Sequence, residues 1–407
     1  MMTFLGKVRL VAIVGLLVLV SSLASYNAGK KAGGATVGNG ASSQKADMTL
    51  FWDVWSRLEK NYLDKKMLDP KKMIYGAISG MTAALDDPYT SFFPPVENTR
   101  SKEDLSGEFS GVGIQLGFVE KTLAVVAPLP GNPAIKAGIK AGDLILHIKD
   151  EAKGIDKDTN GINLMDAVDY IRGKKGTTVV LTILHGKETK PVEVSLVRQT
   201  INVPSVEISW VGKNGNIAQI KVNRFGDKTL EEWDKAVTEF LNKKGVGVIL
   251  DLRNNPGGYL QRAIDLGSEF ISSGTIVRQQ GADQTQSFGV DRPGRLIGVP
   301  LVVLVNKGSA SAAEILSGAL KERLGVKLVG EKTFGKGTVQ EVEDLPGGAG
   351  IHVTIAKWNL PSGTNIHKVG IDPDVKVEYV ANDKDPKADN QLNKAIEVLN
   401  GIITAAK

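Results

Sequence analysis

The sequence predicts an α/β core, an inserted β-rich module and a small helical unit ahead of both. Three observations predict it. From residue 216 onward, apolar runs and amphipathic stretches alternate as strand, helix, strand, helix, strand, helix, strand, the order of a largely parallel sheet covered by helices. Residues 106 to 200 instead hold short β-rich runs parted by Gly and Pro turns. Residues 48 to 100 carry helical periodicity.

Taken in order, Lys7 and Arg9 precede LVAIVGLLVLVSSLA, and residues 10 to 29 carry no charge. Basic residues before an apolar run read as a secretory signal or an uncleaved anchor in residues 1 to 28; a buried N-terminal helix is the alternative. The strictly apolar part, residues 10 to 20, is short against the about 20 residues of a membrane span, and counting on to Gly29 just reaches that length. Small residues Ala24, Ser25 and Ala28 would suit a signal peptidase. Either targeted version places the rest of the chain on the extracytoplasmic side of the cell envelope, anchored to the membrane if the segment stays. Residues 29 to 47 are Gly/Ser/Ala-rich, a flexible linker by composition.

LFWDVWSRLEKNYL then starts a helix near Thr49, and a second helix covers residues 70 to 85 before the stop at Asp86-Asp87-Pro88. This unit, 48 to 100, is too small to hold much core alone. In the module, 101 to 200, the runs SGEFSGVGIQLGF, LAVVAPLPGNPA, DLILHIKD, TTVVLTILHG and PVEVSLVRQ are strands, with one amphipathic helix at residues 164 to 172. The core, 201 to 380, alternates IAQIKV, LEEWDKAVTEFLNKK, VGVILDLR, LQRAIDLGSEFI, PLVVLVN, AAEILSGALKERL and VKLVG. A short helix at residues 389 to 399 falls in the last segment, 381 to 407.

Composition removes several chemistries. Without cysteine there is no disulfide, thiol nucleophile or iron-sulfur site. The four histidines, His147, His185, His352 and His367, show no metal-ligand spacing, so neither a metal nor a cofactor is expected. A formal charge of +5 over 407 residues, with no basic block interleaved with aromatics, gives no footprint for nucleic acid.

Two strand-to-helix turns stand out. In VGVILDLRNNPGGYL, the paired Gly257 and Gly258 at a strand's C-terminal end can turn backbone N–H groups toward an oxyanion; a tight βα turn needing glycine is the plain alternative. In VVLVNKGSASAAEILSGALKERL, a serine at the helix N-terminus suits a nucleophile, yet Ser311 with Glu314 also fits an S-x-x-E capping box. No G-x-S-x-G elbow is present, and His352 and His367, in polar β-rich surroundings, read as surface residues. A lysine is the better base. In EKTFGKGTVQEV, Lys336, Thr338 and Gln340 alternate along a strand and share a face. A buried, neutral Lys336 could take a proton, with Gln340 accepting a hydrogen bond from the amine; an exposed hairpin lysine is the alternative.

NPGG, GSASAAE and FGKGTVQ in this order supply donor, nucleophile, base and orienter. At this point the chain resembles the carboxyl-terminal processing proteases, serine proteases with a Ser/Lys dyad and an embedded PDZ domain. The resemblance runs from about Trp52 to Leu399 and includes DLRNNPGG, NKGSASAAEI, GEKTFGKGTVQ and PSGTNIHKVGIDPDV. It implies a ClpP/crotonase-like core with an inserted PDZ domain. It implies Ser311 as nucleophile, Lys336, 25 positions later, as base, Gln340 in support, and the N–H of Ala312 with one from Gly257 or Gly258 as oxyanion donors. Ser309 is the less favoured serine, although spacing leaves it open. Ala313, where many relatives carry another serine, touches no assigned role.

The resemblance makes the β-rich module the PDZ domain, whose SGVGIQLG segment would take a peptide C-terminus on backbone N–H groups around Val112, Gly113 and Ile114. Arg172 either pairs with an acidic group of the core or hinge, or caps its helix. The expected activity is a serine endopeptidase that takes unfolded or tail-exposed proteins by their C-termini and cuts nearby. A non-catalytic PDZ adaptor in the envelope and a small-substrate Ser/Lys esterase are the rivals. Gly/Pro-rich borders suggest a module that swings to gate the site. Apolar residues on the N-terminal unit and the C-terminal helix suggest a homodimer.

Overall fold

The structure is a computed structural model, and residues 46–129, 131–186, 188–380 and 388–405 are described. The proposed signal or anchor and most of the proposed linker therefore lie outside the described residues. No helix among the described residues is long and apolar enough to cross a membrane. The chain divides into two compact units, residues 1–73 and 74–407. In the first, the helix Thr49–Asn61 stacks Phe51, Trp52 and Trp55 along itself and buries no residue.

In the second unit the chain runs through β1 (Ser91–Phe93), a helix Pro95–Ser106 and β2 (Glu108–Gly111) before entering the module. The helix begins on Pro94-Pro95 and ends on Gly107 at φ 70°, the usual start and stop chemistry. It was not foreseen because it is too polar to show an apolar face, and the boundary drawn at residue 100 falls inside it. Strands β3 (Ile114–Val119), β4 (Thr122–Pro128), β5 (Leu144–Asp150), β6 (Ile155–Asp158), β7 (Thr178–Leu184) and β8 (Val192–Val197) form one sheet, order β3-β4-β5-β7-β8 with β6 on β5. β3 lies at its edge, and the helix Leu164–Ile171 packs on β3 and β5. The module's own core includes Leu123, Ile145, Ile148, Leu181 and Ile183, all fully buried. The chain leaves through β9 (Gln199–Asn202), which pairs antiparallel with β2, so a two-stranded ribbon carries the insertion.

The core sheet is built from β10 (Val206–Val211), β11 (Ile217–Val222), β12 (Gly247–Asp251), β15 (Leu301–Val305), β16 (Lys327–Gly330) and β19 (Val375–Lys376), in that order. Only the β10/β11 pair is antiparallel. Continuously apolar strand segments such as VIL in β12 and LVVLV in β15 follow from covering on both faces. The helices Thr229–Asn242, Leu260–Ser268 and Ala312–Leu324 fill one side. The C-terminal helix, Asn390–Ala405, covers the other with Ala395 and Leu399. That helix therefore spends its apolar stripe on its own chain, which removes it as a reason to expect a dimer. A second, antiparallel sheet was not foreseen: β13 (Thr275–Gln280), β14 (Thr285–Gly289), β17 (Thr338–Asp344) and β18 (Gly350–Asn359) join β1, with β18 at its centre. The core sheet brings β12 and β15 side by side, so the turns after both open at one end.

Candidate active site

The turn after β12 is locked by Asn255. Its fully buried amide donates to the Val222 carbonyl at 2.7 Å and accepts the Gly257 N–H at 2.8 Å. Two close approaches require the glycines. A Cβ on Gly257 would sit 2.7 Å from the Ser311 Cβ, and one on Gly258 would sit 2.2 Å from the Phe225 carbonyl oxygen. Because the Gly257 N–H is already engaged, Gly258 is the member of the pair whose N–H has no acceptor among the described residues. The Ala312 N–H is equally free.

Ser309 and Ser311, two residues apart, have opposite surroundings. Ser309 is fully buried; its hydroxyl donates to the Leu252 carbonyl at 2.8 Å and accepts the Asn306 N–H at 2.9 Å, so it holds the turn. Ser311 takes φ 54°, ψ −116°, an unfavourable region for a residue with a Cβ, and stands at the helix N-terminus in the capping box with Glu314 that the S-x-x-E spacing allows. Strain of this kind collects at functional sites because the surroundings must over-determine it. The surroundings here include Glu314. This carboxylate, 0% exposed, accepts the Ser311 N–H at 2.9 Å, the Thr333 hydroxyl at 2.6 Å, the Gly335 N–H at 2.7 Å and the Lys336 N–H at 2.9 Å. One buried anion thus fixes the serine turn and the lysine loop to each other. Burial pushes its carboxyl above the ordinary glutamate range, against the opposing effect of its four donors.

Lys336 precedes β17 rather than lying on it, and a register shift between Val339 and Gln340 interrupts the expected alternation. Its carbonyl accepts the Trp358 indole N–H at 2.8 Å. Burial depresses its amine below the usual lysine range, with Asp87 opposing. Gln340 does not meet the amine through a hydrogen bond: its amide donates to the hydroxyls of Thr338 at 2.9 Å and Thr354 at 3.1 Å, leaving the carbonyl oxygen open. Gly257, Gly258, Ser311, Ala312, Lys336 and Gln340 all line one cavity of about 590 Å³.

His352 lines it too, which corrects its reading as a surface residue. Its ring lies 4.3 Å from that of Phe93, its Nε2 is buried without a partner, and burial followed by the charge of Lys336 lowers its pKa. His367, centroid 6.0 Å from Tyr89, is likewise nearer the lysine than its sequence context suggested.

In the module, Gly113 sits at φ 76°, and a Cβ there would lie 2.3 Å from the Asn132 Cβ. The carbonyls of Val112 and Gly113 accept from Ala134 and Leu129, whereas the N–H groups of both have no acceptor among the described residues. Ile114 opens the edge strand β3. Arg172 lies outside the cavity. It meets Glu103 of the helix Pro95–Ser106 at 3.2 Å and stacks over Phe109 of β2 at 4.3 Å, so it reaches the hinge rather than only capping its own helix.

Two family models match, peptidase family S41 over residues 216–377 and PDZ domain over residues 110–196. The chain is 41% identical over 334 residues to the carboxyl-terminal-processing protease of Picosynechococcus sp., covering 81% of this chain and 78% of that protein. The chain belongs to the carboxyl-terminal processing proteases. A second relative, the carboxy-terminal processing protease of Bacillus subtilis, is 38% identical over 328 residues, covering 80% of this chain and 67% of the other. Among solved structures, a photosystem II D1 C-terminal processing protease matches with TM-score 0.50 and 29% identity, over 85% of this chain and 95% of that one. A processing protease with this core and an inserted PDZ domain is a serine-type peptidase, and membership sets aside the non-catalytic adaptor.

Proposed function

We propose that the protein takes tail-exposed or unfolded protein substrates by their C-termini and cleaves them near the carboxyl end with Ser311 and Lys336. The observation that carries this reading is the shared cavity, lined together by a strained serine, a half-buried lysine and two backbone N–H groups without an acceptor among the described residues. Ser311 Oγ attacks the scissile carbonyl carbon and its proton passes to neutral Lys336 Nζ. The N–H groups of Ala312 and Gly258 hold the resulting oxyanion. The carbon–nitrogen bond then breaks, Lys336 protonates the leaving amine, and an ester to Ser311 remains. Water attacks that ester, gives its proton to Lys336, and the proton returns to Ser311 as the acid product leaves. Gln340 keeps its carbonyl oxygen available to the amine.

The substrate tail adds as a strand to the edge strand β3, its carboxylate received by the N–H groups of the Val112–Gly113–Ile114 turn. Arg172 tethers this module to its hinge. The N-terminal segment exports the chain to the extracytoplasmic side of the envelope, and the exposed Leu50, Trp52, Val54 and Leu58 pair two copies. The test is hydrolysis of a fluorescent peptide with an apolar C-terminal residue. Activity should vanish in both Ser311→Ala and Lys336→Ala, and turnover by either variant would sink the dyad.

A further inference from the structure

The segment DDPYTSFF, legible in the sequence only as a helix stop, passes beside the lysine. Lys336 Nζ has no hydrogen-bond acceptor and no carboxylate within ion-pair distance among the described residues; its contact is the ring of Tyr89, 5.0 Å from Nζ to the centroid. Tyr89 is not among the residues lining the shared cavity. The segment is held from two sides. Asp87 accepts the Tyr89 N–H at 3.0 Å and the Thr90 hydroxyl at 2.8 Å, Thr90 accepts the Thr354 N–H at 3.0 Å, and β1 pairs with β18.

A lysine base must be neutral before the reaction and charged during it. A fixed carboxylate would hold it protonated, and bulk water would return it to an ordinary amine. An aromatic face does neither: it excludes water, yet its negative quadrupole attracts the ammonium once that forms. We propose that Tyr89 is a positioning residue for Lys336, its ring keeping the resting amine dry and receiving the transient ammonium. This rests on the reading of Lys336 as the base. Other charged or titratable groups around the lysine are Asp87 on the same segment, His352 on β18, His367 beyond β18, and Glu314, which is spent on three backbone donors and the Thr333 hydroxyl.

The experiment is the pH profile of kcat and KM for the full chain and for Y89F, Y89A and Y89L, with thermal melts as a check of folding. Y89F keeps the ring, so its acid limb should coincide with that of the wild type. Y89A admits water, raises the proton affinity of Lys336 and moves the limb to higher pH, so kcat at neutral pH falls about tenfold per unit of displacement. Y89L stays dry but loses the attraction for the ammonium, so its limb should move to lower pH with reduced kcat. KM should hold in all three. Limbs of Y89A and Y89L that stay at the wild-type position overturn the proposal. Lys336→Ala separates the two failures: an inactive Lys336→Ala beside unmoved limbs rejects Tyr89 alone, whereas an active Lys336→Ala rejects the dyad beneath it.

Discussion

The cavity of the protease core and the proposed peptide edge of the PDZ domain both present backbone N–H groups without an acceptor among the described residues, but they are held in different ways. In the core, buried polar side chains fix the turns that carry the free donors: Asn255 holds the glycine turn, Ser309 holds the serine turn, and Glu314 joins that turn to the lysine loop. In the PDZ domain the Val112–Gly113 turn is held by backbone bonds from Leu129 and Ala134 and by a close fit against Asn132. A reaction needs atoms placed to fractions of an ångström, whereas strand addition to an edge tolerates adjustment. Damage to a buried polar residue in the core should therefore cost far more than damage to the tail site.

The sharpest way to break this contrast is Glu314→Gln. Glutamine offers an NH2 where two donors need an acceptor, and each buried group left unsatisfied costs about 1–3 kcal/mol. Hydrolysis should fall by at least about a hundredfold and the melting temperature should drop; a variant with wild-type kcat/KM would show that Glu314 does not couple the two loops. Next in size, Gly113→Ala places a Cβ against Asn132 at a positive φ. Tail-peptide affinity, measured by fluorescence anisotropy, should weaken about tenfold, while acylation of Ser311 by a small serine-directed probe should be unchanged. A matched loss of acylation would mean that the two sites are not separately built. The smallest effect belongs to Arg172→Ala. A partly exposed pair with Glu103 and one ring contact contribute on the order of 1 kcal/mol, so the melting temperature should shift by a few degrees, and an unshifted melt would mean the tether carries no load.

The core's alternation was readable because strands buried on both faces must be continuously apolar, as in VGVILDLR and PLVVLVN. The helix Pro95–Ser106 and the antiparallel sheet around β18 were less legible. The helix is polar on most sides, although Pro95 and Gly107 were there as start and stop signals. β18 draws partners from segments that lie before the PDZ domain and after it, a pairing that local periodicity does not encode. In the cavity, motif order brought Ser311, Lys336 and the glycines onto one list. It did not show which glycine N–H was spent, because that depends on the Asn255 side chain. Glu314 read as a helix cap because only its partner three residues back is visible in sequence. Its bonds to Thr333, Gly335 and Lys336 arise from tertiary folding. Tyr89 lies 247 positions before the lysine it contacts, with the whole PDZ domain between them.

The central claim is that Lys336, resting with no hydrogen-bond acceptor and no ion-pair partner among the described residues, activates Ser311. Mass spectrometry of the intact protein after exposure to a serine-directed acylating probe across pH tests it directly. The wild type should gain a single adduct at Ser311, faster as pH rises through the depressed pKa of Lys336, and Lys336→Ala should lose both the adduct and the pH dependence. Acylation of Ser311 at the same rate and with the same pH profile in Lys336→Ala would contradict the account.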